Sequence, residues 1–404
     1  MSTLKVDAIR HNSATSDAIT TAADGTCTAK LTSVGGGGLS HRNIIINGDM
    51  RIAQRHTSST THPAYGVDRF RWGFGNHSAG TVTASQQSLT SSDTPYTLGF
   101  RKYTRLALGQ AGTAAANTYI NLTYKAEAQD VANSGWNYTS TSSYITISFW
   151  FRASTNQTFV GEFQSKDGTA QAYTFTFTAS GNNTWTKITK TIPGASNVQI
   201  DNDNGGGFDF RWYAFYGTDY STSGHVLEQW GPYSSSDIVP DMASTWLTAG
   251  ASTFDVTGVQ LEVGDTATSF EHRSFHDELL RCQRYYYQVG GQRNDGGPDE
   301  PYGVILPHAM NASSIRVKGV LQHPVPMRDA PTVSGGGSGT AKMQSGDNTS
   351  SSVLVYQSTW TNSNSTKFTW IDFSPNSGTI SQVGYSGVLY ANNDTYHLKV
   401  SAEL

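Results

Sequence analysis

Apolar and polar residues alternate in short runs over most of this chain, and clusters of Gly, Asn, Asp and Ser separate the runs. Period-two alternation is the signature of a strand with one buried face. From Tyr144 to Arg152, Ile145, Ile147, Phe149 and Phe151 share one face, while Thr146, Ser148 and Trp150 share the other. Tyr173, Phe175 and Phe177 repeat the pattern between threonines, and Phe208, Phe210, Trp212 and Ala214 oppose Asp209, Arg211 and Tyr213. Val259, Leu261 and Val263 share a face in the last such run. Strands in this succession predict a two-sheet sandwich over residues 41–273.

A helical pattern interrupts the strands at 274–287. Ser274 can cap it, Asp277 and Glu278 suit its positive end, and Phe275, Leu279, Cys282 and Tyr286 fall on one stripe. With the Gly-rich stretch that follows, it forms a connector over 274–300. Residues 301–404 return to alternation and predict a second, smaller β domain. Residues 1–40 carry few large apolar side chains and end in Gly35 to Gly38, so an extended arm is expected that orders only against other chains. The fold class is therefore all-β, with an N-terminal arm, a β-sandwich, a short helix and a C-terminal β-sandwich.

Composition agrees and removes several function classes. Of 404 residues, 36% are hydrophobic and only 14% charged, with Gly, Ser, Thr and Asn filling the rest, which favours strands and turns over helices. A net charge of -4 offers no basic field for phosphates, so neither nucleic acid nor an anionic membrane is an expected partner. No apolar stretch approaches membrane-spanning length, and the first residues lack a basic region followed by an apolar run, so neither membrane insertion nor a signal peptide is expected. Cys27 and Cys282 are too few for a disulfide framework or a zinc site and read as free thiols of a chain made in a reducing cytoplasm.

Specific segments add a resemblance. Asn43 to Arg55, in the order NIIINGDMRIAQR, and Tyr65 to Phe70 resemble the opening of a β domain that recurs in tail fibres and receptor-binding proteins of tailed bacteriophages. Val256 to Gly264 and Phe270 to Arg273 resemble its closing strands, and Glu278 to Tyr286 the helix after it. Pro324 to Val333 and the ending Ser401 to Leu404 resemble the C-terminal domain of that family. Residues 1–40 are similar in composition to the virion-attachment arms of fibres from phages of marine bacteria and cyanobacteria. The resemblance implies a carbohydrate-binding-module-like jelly roll, a homotrimer, and attachment through residues 1–40 to other tail or virion proteins.

The candidate ligand is a host surface polysaccharide. Sugars stack their C–H faces on aromatic rings, and their hydroxyls need nearby polar groups. Trp136, Tyr138, Trp230 and Tyr233 lie in Gly-, Ser- and Asn-rich context and read as loop-borne rings for such a ligand, against the alternative that they cap a core or line a trimer interface. Asp201 and Asp203, in Asp-Asn-Asp-Asn-Gly, alternate oxygen ligands as calcium loops do, but the twelfth position is Trp212 rather than Glu, and a solvated turn is the simpler reading. No cofactor is otherwise expected. His308, His323 and His397 lack metal-ligand spacing and read as surface or interface residues. Arg51, Asp68 and Arg69 read as ion pairs that pin the first strands.

Glu127, Asp130, Glu162, Asp209 and Glu228 could supply glycosidase carboxyls, but no nucleophile elbow or β-helix repeat accompanies them, so no enzyme activity is expected. The leading expectation is a virion tail fibre, or a tail-attached adhesin, that binds host glycan. A capsid-borne fibre or tail structural subunit without receptor contact is the alternative, and a glycan depolymerase the second.

Overall fold

The computed structural model describes residues 6–10, 12, 15–23, 27–29, 42–290, 304–310, 316–336, 341–345, 351–359, 365–375, 387–391 and 397–404. Within them the chain is all-β, with four short helices, at Thr94–Thr97, Ala128–Ala132, Thr245–Thr248 and Phe275–Gln283.

Two antiparallel sheets form a jelly-roll sandwich. The six-stranded sheet runs Thr186–Pro193, Tyr144–Ala153, Thr253–Val263, Lys102–Leu108, Val82–Ser88 and Ser58–Ser59. The seven-stranded sheet runs Trp230–Pro232, Gln171–Thr178, Thr158–Ser165, Gly206–Tyr216, Tyr119–Glu127, Phe70–Gly75 and Ala64–Val67. Their inner faces are the apolar faces read from the alternation, and Ile145, Ile147, Phe149, Phe151, Phe175, Phe210 and Trp212 are all buried. Rings interlock across the gap, with Phe149 at 5.6 Å from Trp212, Phe151 at 5.2 Å from Phe159 and Trp72 at 5.9 Å from Phe254, each close to edge-on. Such pairs add about 0.5–1.5 kcal/mol each beyond the area they bury. The Trp72 indole N–H donates across the sandwich to Thr104 Oγ1 at 3.1 Å, so burying it leaves no unmet donor.

The segments that carry the resemblance meet at one side of this sandwich. Asn43 Oδ1 accepts from the backbone N–H groups of Ile45 and Leu261, both at 3.0 Å, and its Nδ2 donates to Val259 O. Asn47, at φ 61°, donates from Nδ2 to the carbonyls of Ile52 and Asp68 and accepts from the Ile52 N–H. Gly48 lies so close to the strand Thr253–Val263 that a Cβ there would stand 2.1 Å from Val259 O. The Asn-Gly pair is thus a packing requirement as well as a turn.

The helix Phe275–Gln283 starts where expected, with Ser274 Oγ accepting from Asp277 N–H. Its stripe is narrower than the periodicity suggests. Cys282 is buried as a free thiol beside Tyr285, Ile46 and Ile52, but Phe275 is 59% exposed, and Tyr286 has left the helix for the strand Tyr286–Val289. That strand pairs with His397–Ser401, which also pairs with Thr332–Gly336. A separate six-stranded sheet is ordered Val304–Met310, Arg316–Gln322, Phe368–Pro375, Ser351–Thr359, Ala341–Ser345 and Gly387–Ala391.

Three local expectations change. Residues 1–40, expected as an extended arm that orders only against other chains, hold a three-stranded sheet of Ala8–Ile9, Ile19–Thr21 and Cys27–Ala29 formed within the arm itself. His323 is buried rather than superficial, with Nδ1 2.6 Å from Tyr287 Oη and Nε2 3.1 Å from Thr369 Oγ1. The charged trio does form ion pairs, but with other partners. Arg51 pairs with Asp49 and Asp68 lies 3.5 Å from Arg55, while Arg69 reaches Glu403 near the end of the chain and stacks 3.4 Å over the Tyr285 ring. The glycine run Gly35 to Gly38, the glycines from Gly291 to Gly297 and the side chains of Cys27 and His308 lie outside what is described.

Candidate functional site

The outward face of the seven-stranded sheet carries a groove of about 380 Å³, within the usual range of roughly 300–1,000 Å³ for small-ligand sites. Strand alternation puts its floor residues in register. Gly73 lies opposite Asn121, which lies opposite Tyr213; one row over, Arg71 faces Thr123, Thr123 faces Arg211, and Arg211 faces Glu162. Lys125 pairs with Asp209 in the next row. Two glycines keep the floor low: a Cβ at Gly73 would sit 3.0 Å from Asn121 Oδ1, and one at Gly75 would meet the Tyr119 ring at 2.7 Å.

Tyrosines wall one end. The segment between the strand Gly206–Tyr216 and the helix Thr245–Thr248 folds back over the sheet, tied by the parallel ladder of Ser221–Thr222 with Val239–Pro240. It brings Tyr220 and Tyr233 beside Tyr213, Tyr216 and Tyr119. The Tyr216 ring stands 4.5 Å from Tyr213, 5.1 Å from Tyr220 and 6.3 Å from Tyr119, and its hydroxyl donates to Asn121 Oδ1 at 3.2 Å. Tyr216, Tyr233 and Tyr119 are half-buried, so each keeps a surface toward the groove, while Tyr213 is buried beneath Ile238 and Val239.

The charges of the floor are organised by Arg211. Its Nη1 donates to Glu162 Oε1 at 2.8 Å and its Nη2 to Asp209 Oδ2 at 2.6 Å, and Lys166 lies 3.6 Å from the same Asp209 oxygen. Burial pushes the Glu162 carboxyl up, against the pull of Arg211. It also pushes the Tyr213 and Tyr233 phenols up, so both remain hydrogen-bond donors at neutral pH. Burial lowers the Lys125 ammonium; Asp209 opposes the shift, while Arg71, Lys166 and Arg211 add to it. The groove can therefore offer hydroxyl, amide and cationic donors beside ring faces.

Of the four aromatic residues expected to meet a ligand, only Tyr233 lines this groove. Trp136 and Trp230 are not loop-borne faces. Trp136 is 3% exposed, packs 5.7 Å from Phe208 and donates its indole N–H to Ser143 O at 3.3 Å. Trp230 is 8% exposed, packs 5.6 Å from Tyr173 and donates to Pro193 O at 2.7 Å. Both close one end of the sandwich core, where a large ring with one polar edge fills space and satisfies its donor. Tyr138 is half-buried and donates to Ile200 O at 3.1 Å.

Asp201 and Asp203 lie in the turn before the strand Gly206–Tyr216. Asp203 Oδ1 accepts from Gly205 N–H at 2.8 Å as a turn-closing bond, and Asp201 Oδ1 accepts from Gln199 Nε2 at 3.1 Å. Among the described residues, no group of three or more His, Cys, Asp or Glu side chains is placed to hold a metal ion. Of the other candidate carboxylates, Glu127 accepts both arms of Arg284 at 2.7 and 2.8 Å, and Glu228 pairs with Lys190.

The residues that build the groove were visible only as the polar halves of alternating strands. The signal was their chemistry: Tyr119, Asn121 and Lys125, and Asp209, Arg211 and Tyr213, occupy outward positions where Ser and Thr would suffice for solubility. A larger cleft of about 1250 Å³ lies between the outward face of the other sheet and the helix Phe275–Gln283, lined by Phe100, Trp150, Phe270, His272 and Arg281 among others. Much of its wall is the stretch 269–274, which contains the motif residues Phe270 to Arg273 and also anchors the opening segment at Asn43 and Ile45 through Glu271 and Arg273, so it reads first as scaffold.

No protein-family profile matches the chain, and no curated protein matches it. Among solved structures it is similar to the enzymatically active domain of tailspike protein 4 of bacteriophage CBA120, at 11% identity and a TM-score of 0.30, over 58% of this chain and 24% of that one. It is similar also to a family 11 carbohydrate-binding module of a cellulosomal cellulase of Clostridium thermocellum, at 12% identity and a TM-score of 0.26, over 53% of this chain and 98% of that one. A putative sugar binding protein of Bacteroides thetaiotaomicron matches at 7% identity and a TM-score of 0.28, over 55% of this chain and 100% of that one. The chain thus spans about a quarter of the tailspike domain, and at these TM-scores the likenesses add nothing to what the two sheets themselves establish, a jelly-roll sandwich.

Proposed function

We propose that this chain is a glycan-binding subunit of a tailed-phage fibre that grips a host surface polysaccharide without cleaving it. The groove on the seven-stranded sheet carries the reading: tyrosine edges and faces, an amide at Asn121 and fixed cations share one open floor. That combination suits a ring with an apolar face and a polar rim. The resemblance of the framing segments to phage fibres supports placing the protein on a virion tail, with residues 1–40 as the attachment arm and a homotrimer as the working form. Closed threefold symmetry would also multiply a modest single-site affinity by avidity.

Binding is favoured over cleavage by the condition of the two carboxylates nearest the groove, Asp209 in its lining and Glu162 beneath its floor. Glu162 and Asp209 are held by one guanidinium, whereas glycoside hydrolysis needs one carboxyl free to give a proton and another free to act on the sugar or a water.

The test is binding of the purified full-length chain to host cells. Tyr216→Ala and Tyr233→Ala, assayed at a temperature where each variant is fully folded, are expected to weaken binding roughly tenfold, the scale of a contact hot spot. Undiminished binding by both variants would move the site elsewhere, and sustained release of reducing ends from host polysaccharide would establish the depolymerase alternative. Antibody labelling of virions separates tail from capsid attachment. A stable monomer in sedimentation at micromolar concentration counts against the trimer.

A further inference from the structure

Resting on the groove reading above, we infer that the saccharide it takes is acidic, carrying carboxylate, sulfate or phosphate groups that meet Arg71 and Lys125. The chain as a whole is acidic, with a formal charge of -4, yet four basic side chains, Arg71, Lys125, Lys166 and Arg211, line the groove. Against them stand Asp209 and, beneath the floor, Glu162. Arg211 holds one oxygen of each carboxylate, and that Asp209 oxygen is shared further with Lys166, so four cations stand against two carboxylates. Among the described residues, no carboxylate forms an ion pair with Arg71 or Lys125. These two stand on neighbouring strands, with Thr123 directly across from Arg71 and Lys125 two residues further along the same strand.

An arrangement of this kind is costly without a counter-charge. Like charges held on one low floor repel: burial lowers the Lys125 ammonium, and Arg71, Lys166 and Arg211 add to that shift against the opposing pull of Asp209. His62, at the rim, is lowered by burial and by Arg71, so it adds little positive charge at neutral pH. A neutral sugar would leave the excess uncompensated, whereas an anionic substituent would neutralise it and accept hydrogen bonds from a guanidinium fork and an ammonium. The tyrosine wall then supplies the ring contact and the cations supply selection between acidic and neutral chains.

The test is an array of neutral oligosaccharides and of uronate-, sialate-, sulfate- and phosphate-bearing ones, probed with the full-length chain at 20 and 300 mM NaCl, conditions chosen about the Debye screening range of roughly 10 Å. Binding is expected to acidic members, at least about tenfold above neutral ones in low salt, and to fall steeply in high salt. Arg71→Gln and Lys125→Gln should each remove most of the preference without changing the melting temperature, and Lys125→Arg should restore it. Salt-indifferent binding to neutral members that is lost in Tyr216→Ala would overturn the acidic ligand and leave the groove standing. Acidic binding untouched by Arg71→Gln, Lys125→Gln and Tyr216→Ala would overturn the groove itself. Binding to no member would overturn both.

Discussion

Arg284 donates from Nε and Nη2 to the two carboxylate oxygens of Glu127, at 2.7 and 2.8 Å, and so fastens the residue that follows the helix to the end of a central strand of the seven-stranded sheet. Tyr285 Oη donates to Glu127 as well, and Arg328 N–H to the Arg284 carbonyl at 2.9 Å. The junction of the sandwich with the segments after it is therefore a bonded polar core. Removing one member of a buried pair leaves the other uncompensated, which costs about 3–5 kcal/mol. Arg284→Ala is expected to approach the lower end, because its own side chain is partly exposed, as read from urea unfolding. A change below about 0.5 kcal/mol would show that water replaces the guanidinium.

The same carboxylate sets a pH dependence. Burial would raise the Glu127 carboxyl, but hydrogen bonds from Arg284 and Tyr285 outweigh it and hold the group below its usual value of 4.5. Burial would likewise raise Glu403, and Arg69 and Arg55 hold it low. A folded value below the unfolded one stabilises the protein above the unfolded value, and the benefit disappears as pH falls through the folded value. The stability advantage of the wild type over Glu127→Gln should thus be full at pH 7 and shrink below about pH 4.5. An advantage that is flat down to pH 3 would remove Glu127 from the acid response, roughly a unit or more beneath its ordinary titration.

Trp136→Ala and Trp230→Ala should destabilise the sandwich by about 3–5 kcal/mol each, the cost of emptying a large buried ring. Calorimetry on both variants checks this, and Trp230→Phe should recover much of the loss. Near-wild-type melting temperatures would return these rings to the surface and to ligand contact.

Gly48→Ala places a methyl group against Val259 O, where a Cβ would stand 2.1 Å away. Backbone rather than a flexible side chain is in the way, so relief requires the opening segment to move off the strand Thr253–Val263. The expected loss is about 3 kcal/mol, the upper part of the range for overpacking. Unchanged stability would mean that the opening segment shifts freely.

Period-two alternation alone determined that this is an all-β chain and which faces of the strands Tyr144–Ala153, Gln171–Thr178 and Gly206–Tyr216 pack into the core. Ile145 to Phe151 and Phe208 to Ala214 pack as their spacing requires, because burying apolar area fixes strand register wherever one face meets a core. The helix start was legible for a similarly local reason, since Ser274 needs only its own neighbours to cap. Spacing could not say that Trp136 and Trp230 close the core, because a ring in polar, Gly-rich sequence is exposed or buried according to which distant strand passes over it. Only tertiary structure placed Phe208 and Tyr173 there. The candidate site was decided at the same level. Arg71, Asn121, Arg211 and Glu162 lie far apart in the chain and become one floor only when antiparallel pairing sets them side by side, and Tyr233 joins them only because the segment after Tyr216 folds back across the sheet.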